Sequence, residues 1–105
     1  MPREQFQTLT EQMYYILLSL TEECCGVDVM EKVYFISKGR ISVGPGTLYT
    51  LLAKFVKSKI IRETLVEGRK KSYIITDYGK KILKTEYERL KNLVEEGKDF
   101  LEGDE

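Results

Sequence analysis

Few side chains in this sequence could do covalent or metal chemistry. Two adjacent cysteines, Cys24 and Cys25, are the only thiols in 105 residues, and there is no histidine. Without an imidazole neither a Ser-His-Asp nor a Cys-His nucleophile can be assembled, and two thiols fall short of a closed zinc site. Neighbouring cysteines bridge only with strain, so no disulfide framework is expected and the thiols point to a reducing cytoplasm. A thiol sensor or redox enzyme would need one of them exposed as a low-pKa thiolate, whereas free cysteine is more commonly a small buried hydrophobe. No enzyme activity, no metal and no cofactor are expected.

The chemistry the sequence does offer is that of a polyanion binder. Net charge is zero, but the distribution is uneven. Residues 1–37 carry two basic and six acidic side chains, residues 38–81 eleven basic and three acidic, and residues 82–105 four basic and eight acidic. A net +8 middle segment between two flanks of −4 suggests a face for a polyanion. Within it Arg69, Lys70 and Lys71 form a tight cationic cluster, and Gly44-Pro45-Gly46-Thr47 opens a helix whose backbone N–H groups suit a phosphate oxygen.

The elements that must position these residues can be read from periodicity. Thr8-Leu9-Thr10-Glu11 fits a capping box with Thr8 as the cap, and Leu9, Met13, Ile16, Leu17 and Leu20 then predict a helix over 9–21. Val29, Met30, Val33 and Ile36 mark a second helix, closed by Gly39 in the left-handed conformation. A third starts at Pro45, which costs nothing at the first helical position, and buries Leu48, Leu51, Leu52 and Phe55. Ile61–Val66 and Lys71–Thr76 flank Glu67-Gly68-Arg69-Lys70 as a β-hairpin. Thr76 or Asp77 caps a last helix reaching about Phe100, where Leu83, Tyr87, Leu90, Val94 and Leu101 form a heptad-like seam. Neither an apolar stretch near the ~20 residues that span a bilayer nor a secretory leader is visible. The expected fold class is mainly α with a small β-hairpin: a winged helix-turn-helix over 1–76 followed by a long C-terminal helix over 77–105. The order of elements alone leaves the winged-helix superfamily open.

Two segments narrow it. Gly44-Pro45-Gly46-Thr47-Leu48-Tyr49, followed by Leu52, Phe55 and Ile60-Ile61, resembles the start of the reading helix in the PadR family of transcriptional regulators. Gly68–Leu83, GRKKSYIITDYGKKIL, resembles that family's wing: a glycine-arginine tip, a basic-aromatic strand, a threonine helix cap and a glycine in the first turn. Upstream, Cys25-Gly26-Val27-Asp28-Val29 occupies the start of the second helix, with Cys25 where the family often has histidine and Val27 where it often has tyrosine. Thr50 stands where proline is frequent and Lys59 where glycine usually ends the helix, so either Lys59 takes a left-handed conformation or the helix ends differently. The resemblance covers roughly Leu9 to Leu83.

The resemblance implies a homodimeric DNA-binding regulator, expected to be a repressor, on a pseudo-palindromic operator in double-stranded DNA. Candidate DNA-binding residues are Ser42, Gly44, Pro45, Gly46, Thr47, Tyr49, Thr50 and Lys54 around the third helix, and Arg69, Lys70 and Lys71 in the wing. Thr47 suits a base edge, Tyr49 and Lys54 suit phosphate, and Arg69 suits the minor groove. At ~36 Å the last helix outreaches so small a domain, so Leu83, Tyr87, Leu90, Val94 and Leu101 are candidate dimerisation residues. Some relatives bind planar drugs in a dimer pocket built with tryptophan, which this chain lacks. Tyr14, Tyr15, Tyr87 and Phe100 are expected in the dimer core, with the lining of an interface cavity as the alternative, and a small-molecule effector is left open. The alternatives are a winged helix used for protein contact, with the third helix covered and the cations scattered, and a thiol enzyme resting on Cys24-Cys25.

Overall fold

A computed structural model of the chain describes residues 8–68 and 70–102. The elements run α1 (Glu11–Ser19), β1 (Cys24–Cys25), α2 (Gly26–Ile36), α3 (Pro45–Lys57), β2 (Ile61–Glu67), β3 (Lys70–Ile75) and α4 (Asp77–Leu101). Three helices and a hairpin followed by a long helix make a winged helix-turn-helix, as the periodicity predicts. One core holds it together: Ile16, Leu17 and Leu20 from α1, Val29 and Val33 from α2, Leu48, Leu52 and Phe55 from α3, Ile60, Ile61, Tyr73 and Ile75 from the sheet region, and Leu83 from α4. Each fully buried aliphatic or Phe side chain contributes about 1.5–3 kcal/mol of transfer free energy, so this cluster dominates stability.

α1 starts two residues later than expected. Thr10, not Thr8, is the cap, its hydroxyl accepting from the Met13 N–H at 3.1 Å. With Met13 at the third helical position no carboxylate completes a capping box. Leu9 instead sits just ahead of the cap, buried, and its backbone N–H donates to the Glu86 carboxylate of α4.

α2 ends at Ser37, and Gly39 takes the expected left-handed conformation (φ 82°), with its N–H on Tyr34 O at 2.8 Å. Lys38 shares that region at φ 57°. Ile36 is 39% exposed and is not part of the core stripe. Ser37 takes the inward position, its Oγ accepting from the Ile41 N–H and donating toward Tyr34 O, which pins the loop into α3. α3 closes in the same way, with Lys59 left-handed at φ 64° and the Ile60 N–H on Phe55 O at 2.9 Å. A left-handed lysine costs about 1 kcal/mol, which the burial of Ile60 and Ile61 behind it offsets.

The sheet has three strands in the order β1-β3-β2, all antiparallel. β1 was not expected, because two residues carry no periodic signal; Cys24 faces Tyr73 and Cys25 faces Ser72. The hairpin closes with Glu67 opposite Lys70, and Gly68 follows Glu67 at φ 61°. A bulge between Glu63 and Leu65 aims Thr64 at Glu23, to whose carboxylate its hydroxyl donates.

α4 is anchored at its start. The Thr76 hydroxyl accepts from the Gly79 N–H at 3.0 Å and donates toward the Lys59 and Ile60 carbonyls. Gly79 lies flush on the end of α3: a Cβ there would run into Ile60 O and meet Ile75 Cγ1 at 2.7 Å. Gly79, Leu83 and the buried Glu86 keep the first half of the helix in the common core. The second half projects, so the molecule measures 59 × 38 × 21 Å with a radius of gyration of 15.6 Å. A compact domain of this length would have about 13 Å.

Candidate nucleic-acid interface

The loop into α3 and its first turns are open to solvent. Ser42, Gly44, Pro45, Gly46, Thr47, Thr50 and Lys54 are all exposed, and Tyr49 is half-exposed. The buried stripe of α3 is Leu48, Leu52 and Phe55. At 100° per residue Gly46, Thr47, Thr50 and Lys54 fall on the other side of the cylinder. No described element covers that face, the opposite of what a protein-contact module with a hidden third helix predicts. Gly44 is the cap and Pro45 the first helical residue, and no side chain caps the turn, so its N–H groups face outward.

Tyr49 sits on the edge of α3 toward the wing. Its ring lies against Gly26 at the start of α2, where an added Cβ would meet Tyr49 Cζ at 2.8 Å. Tyr49, Lys70, Lys71, Tyr73 and Cys25–Asp28 line one groove of about 620 Å³. The reading helix and the wing therefore share a surface. Lys71 is held by Glu63 at 3.5 Å, whereas Lys70 makes no ion pair among the described residues. Arg69 lies outside the described residues.

Gly26, Val27, Asp28 and Tyr73 are groove residues that the sequence did not mark as part of a DNA-binding face. What brings them there is the two-residue pairing of β1 with β3, which docks the start of α2 beside the wing strand. Burial, with the nearby Glu63 carboxylate and Tyr49, pushes the Tyr73 phenol up, so it stays a protonated donor.

These features describe a winged helix with an uncovered reading helix, and a family comparison decides which kind. The model of the transcriptional regulator PadR-like family matches residues 16–85. The chain belongs to that family. This PadR-like regulator is accordingly a DNA-binding transcription factor by family, in a family of regulators and not of enzymes. Two solved structures share its fold. A transcriptional regulator from Clostridium thermocellum superposes with a TM-score of 0.71 at 19% identity, covering 87% of this chain and 92% of its own. RosR from H. salinarum gives 0.64 at 20% identity, covering 84% and 76%. No curated protein matches the sequence significantly.

The remaining candidates divide. On α4 of the regulator, Leu83 belongs to its own core, Leu90 is half-buried, and Tyr87, Val94 and Leu101 are exposed. Leu93 and Phe100 are exposed as well. Of the four aromatics, Tyr14 and Tyr87 line a pocket of about 230 Å³ between α1 and α4, with Leu18, Lys80, Leu83 and Lys84. Tyr15 turns the other way and accepts from Arg40, itself paired with Glu11 at 2.7 Å, and Phe100 lies far along the projecting helix. Both thiols are buried and free, and burial pushes Cys24 up, away from thiolate. Neither is the exposed thiolate a redox enzyme needs. Among the described residues there is no group of three metal-ligating side chains and no helix long and apolar enough to cross a membrane.

Proposed function

We propose that this PadR-like regulator acts in the cytoplasm as a homodimeric repressor of a pseudo-palindromic operator. α3 reads the major groove through Thr47 and Thr50, and the loop residues Ser42, Gly44, Pro45 and Gly46 let its backbone approach phosphate. Tyr49 and Lys54 hold backbone phosphates, and Arg69, Lys70 and Lys71 carry the wing onto the flanking groove. The exposed side chains of α4, from Tyr87 through Leu90, Leu93 and Val94 to Phe100 and Leu101, pair with a second copy and set two reading helices about one DNA turn apart. Leu83 supports that face from behind. A small-molecule effector would act through the pocket under Tyr14 and Tyr87, where a ligand alters the angle between α1 and α4.

The observation that carries this reading is the shared groove: Tyr49 of the reading helix and Lys70 and Lys71 of the wing face one cleft beside an uncovered α3. The test is titration of the purified chain against the duplex upstream of its own gene across salt. The expected slope of log affinity on log salt is several units, at about 0.9 per phosphate contacted. A monomer with no salt-dependent affinity for any duplex would overturn it.

A further inference from the structure

Three features of α4 have no use within a single chain. Its apolar seam of Leu83, Tyr87, Leu90, Val94 and Leu101 is interrupted at the heptad position between the last two by Gly97, the poorest helix former after proline. No described neighbour requires a glycine there, since an added Cβ would meet only Leu101 Cδ1, at an ordinary 3.9 Å. The second feature is charge. Lys80, Lys81 and Lys84 make the start of the helix basic, whereas Glu95, Glu96, Asp99 and Glu102 against Lys98 make its far end acidic. Asp99 and Glu102 thus stand at the negative end of the dipole, where an isolated helix gains nothing from them. The third is the pocket of about 230 Å³ between α1 and α4, walled by Tyr14, Leu18, Leu83 and Tyr87 with Lys80 and Lys84 beside them. An apolar cavity of about 150 Å³ already holds a benzene ring.

We infer that two copies of α4 pair antiparallel in a single register, with Tyr87 of each chain seated on Gly97 of the other and Leu101 of each filling the α1–α4 pocket of the other. The inference rests on the reading of α4 as the pairing helix and adds its direction, its register and the occupant of the pocket. Packed seams interdigitate large residues with small ones. Setting the bulkiest seam residue against the smallest brings Leu90 level with the partner's Val94 and Leu83 level with the partner's Leu101, so no seam residue is left over. Leu83 lines the pocket, and Leu101 is 86% exposed in the single chain. The same register lays the acidic end of each helix along the basic start of the other. A parallel pair would instead set Gly97 on Gly97, Tyr87 on Tyr87 and acidic end on acidic end. One set of contacts opposes the antiparallel register: Lys91 lies beside its own copy at the twofold axis, and Lys84 falls level with the partner's Lys98. Glu88, 3.9 Å from Lys91 and 4.0 Å from Lys84, offsets both. A small molecule that enters the pocket has to displace the partner's Leu101, so an effector there acts on the dimer itself.

Tyr87 and Gly97 are ten residues apart, about 15 Å along one helix, and can touch only across a dimer. Gly97→Ala improves the helix of the single chain, yet is expected to raise the dimer dissociation constant about tenfold or more, because its methyl groups push against both Tyr87 rings. In a Tyr87→Ala background the same change is expected to cost nothing, a non-additivity that sites this far apart in one chain do not show. Sedimentation velocity over a dilution series reads the constants, and circular dichroism of the dilute monomer reads the fold. A second arm mixes Tyr87→Cys chains with Gly97→Cys chains under mild oxidation, and covalent dimers are expected from the mixture and from neither variant alone. A Gly97→Ala effect that is absent or merely additive, self-linked dimers of Tyr87→Cys, or a mixture no more linked than its components overturns the register, while a dimeric wild type keeps α4 as the pairing helix. A monomeric wild type removes the pairing reading, and the register with it.

Discussion

Val94 offers the sharpest test of the proposed dimer, because it is 68% exposed in the single chain and lies mid-way along the projecting half of α4. Replacing it by alanine removes two carbons, worth about 0.8 kcal/mol each on full burial. If a second copy covers the exposed 68%, the loss is about 1.1 kcal/mol per chain and about 2.2 kcal/mol per twofold dimer. At 1.36 kcal/mol per decade, the dimer dissociation constant should rise about 40-fold. The helix itself does not suffer, since alanine is the better helix former by about half a kcal/mol. Sedimentation velocity over a dilution series measures the dissociation constant, and circular dichroism at a concentration where the wild type is monomeric measures the fold. Val94→Asp, which places a charge in the seam, should leave a folded monomer at all practical concentrations. An unchanged dissociation constant in Val94→Ala, together with a dimeric Val94→Asp, would refute α4 as the pairing surface.

Lys70→Ala should lower the salt slope of duplex binding by nearly two units per dimer, at about 0.9 per phosphate contact, whereas Lys71→Ala should lower it less because Glu63 already holds that lysine. Fluorescence anisotropy at four salt concentrations separates the two. Phe55→Ala empties the centre of the core and should cost about 3–5 kcal/mol, read as a lost or strongly shifted urea transition. Glu86 is held below its ordinary value chiefly by its two hydrogen bonds from Arg89, with the Leu9 N–H adding to them against the cost of burial. Its stabilisation is therefore complete above the unfolded carboxyl value of about 4.3 and is lost as pH falls through the lower folded value. Glu86→Gln should remove that acid-side dependence, seen as a flatter melting temperature between pH 5 and pH 2.

Much of this molecule could be read from the chain alone, where the controlling forces act within a few residues. Pro45 at a helix start, Gly68 in the hairpin turn and Thr76 ahead of an apolar period each follow from local backbone preferences, while the left-handed Lys59 was one of two outcomes that the family resemblance implied. The basic third of the sequence pointed to a polyanion, and the GPGTLY segment together with Gly68–Leu83 pointed to the family that the comparison then showed. The cap of α1 was misplaced because Thr8 and Thr10 offer the same chemistry, and only the burial of Leu9 beneath Glu86 chooses between them.

Other features arise only when distant segments meet. β1 exists because Cys24 and Cys25 find β3 across the fold, a pairing between residues about fifty apart that no local period announces. That pairing sets Gly26 under the Tyr49 ring and leaves the Tyr73 phenol facing a groove. It is also tertiary packing that divides α4. One amphipathic period runs the length of the helix, but the core reaches only as far as Glu86, so Leu83 is buried by its own chain while Val94 and Leu101 stay exposed. Periodicity reports that a face is apolar; the volume of the core decides how much of it the chain can cover by itself.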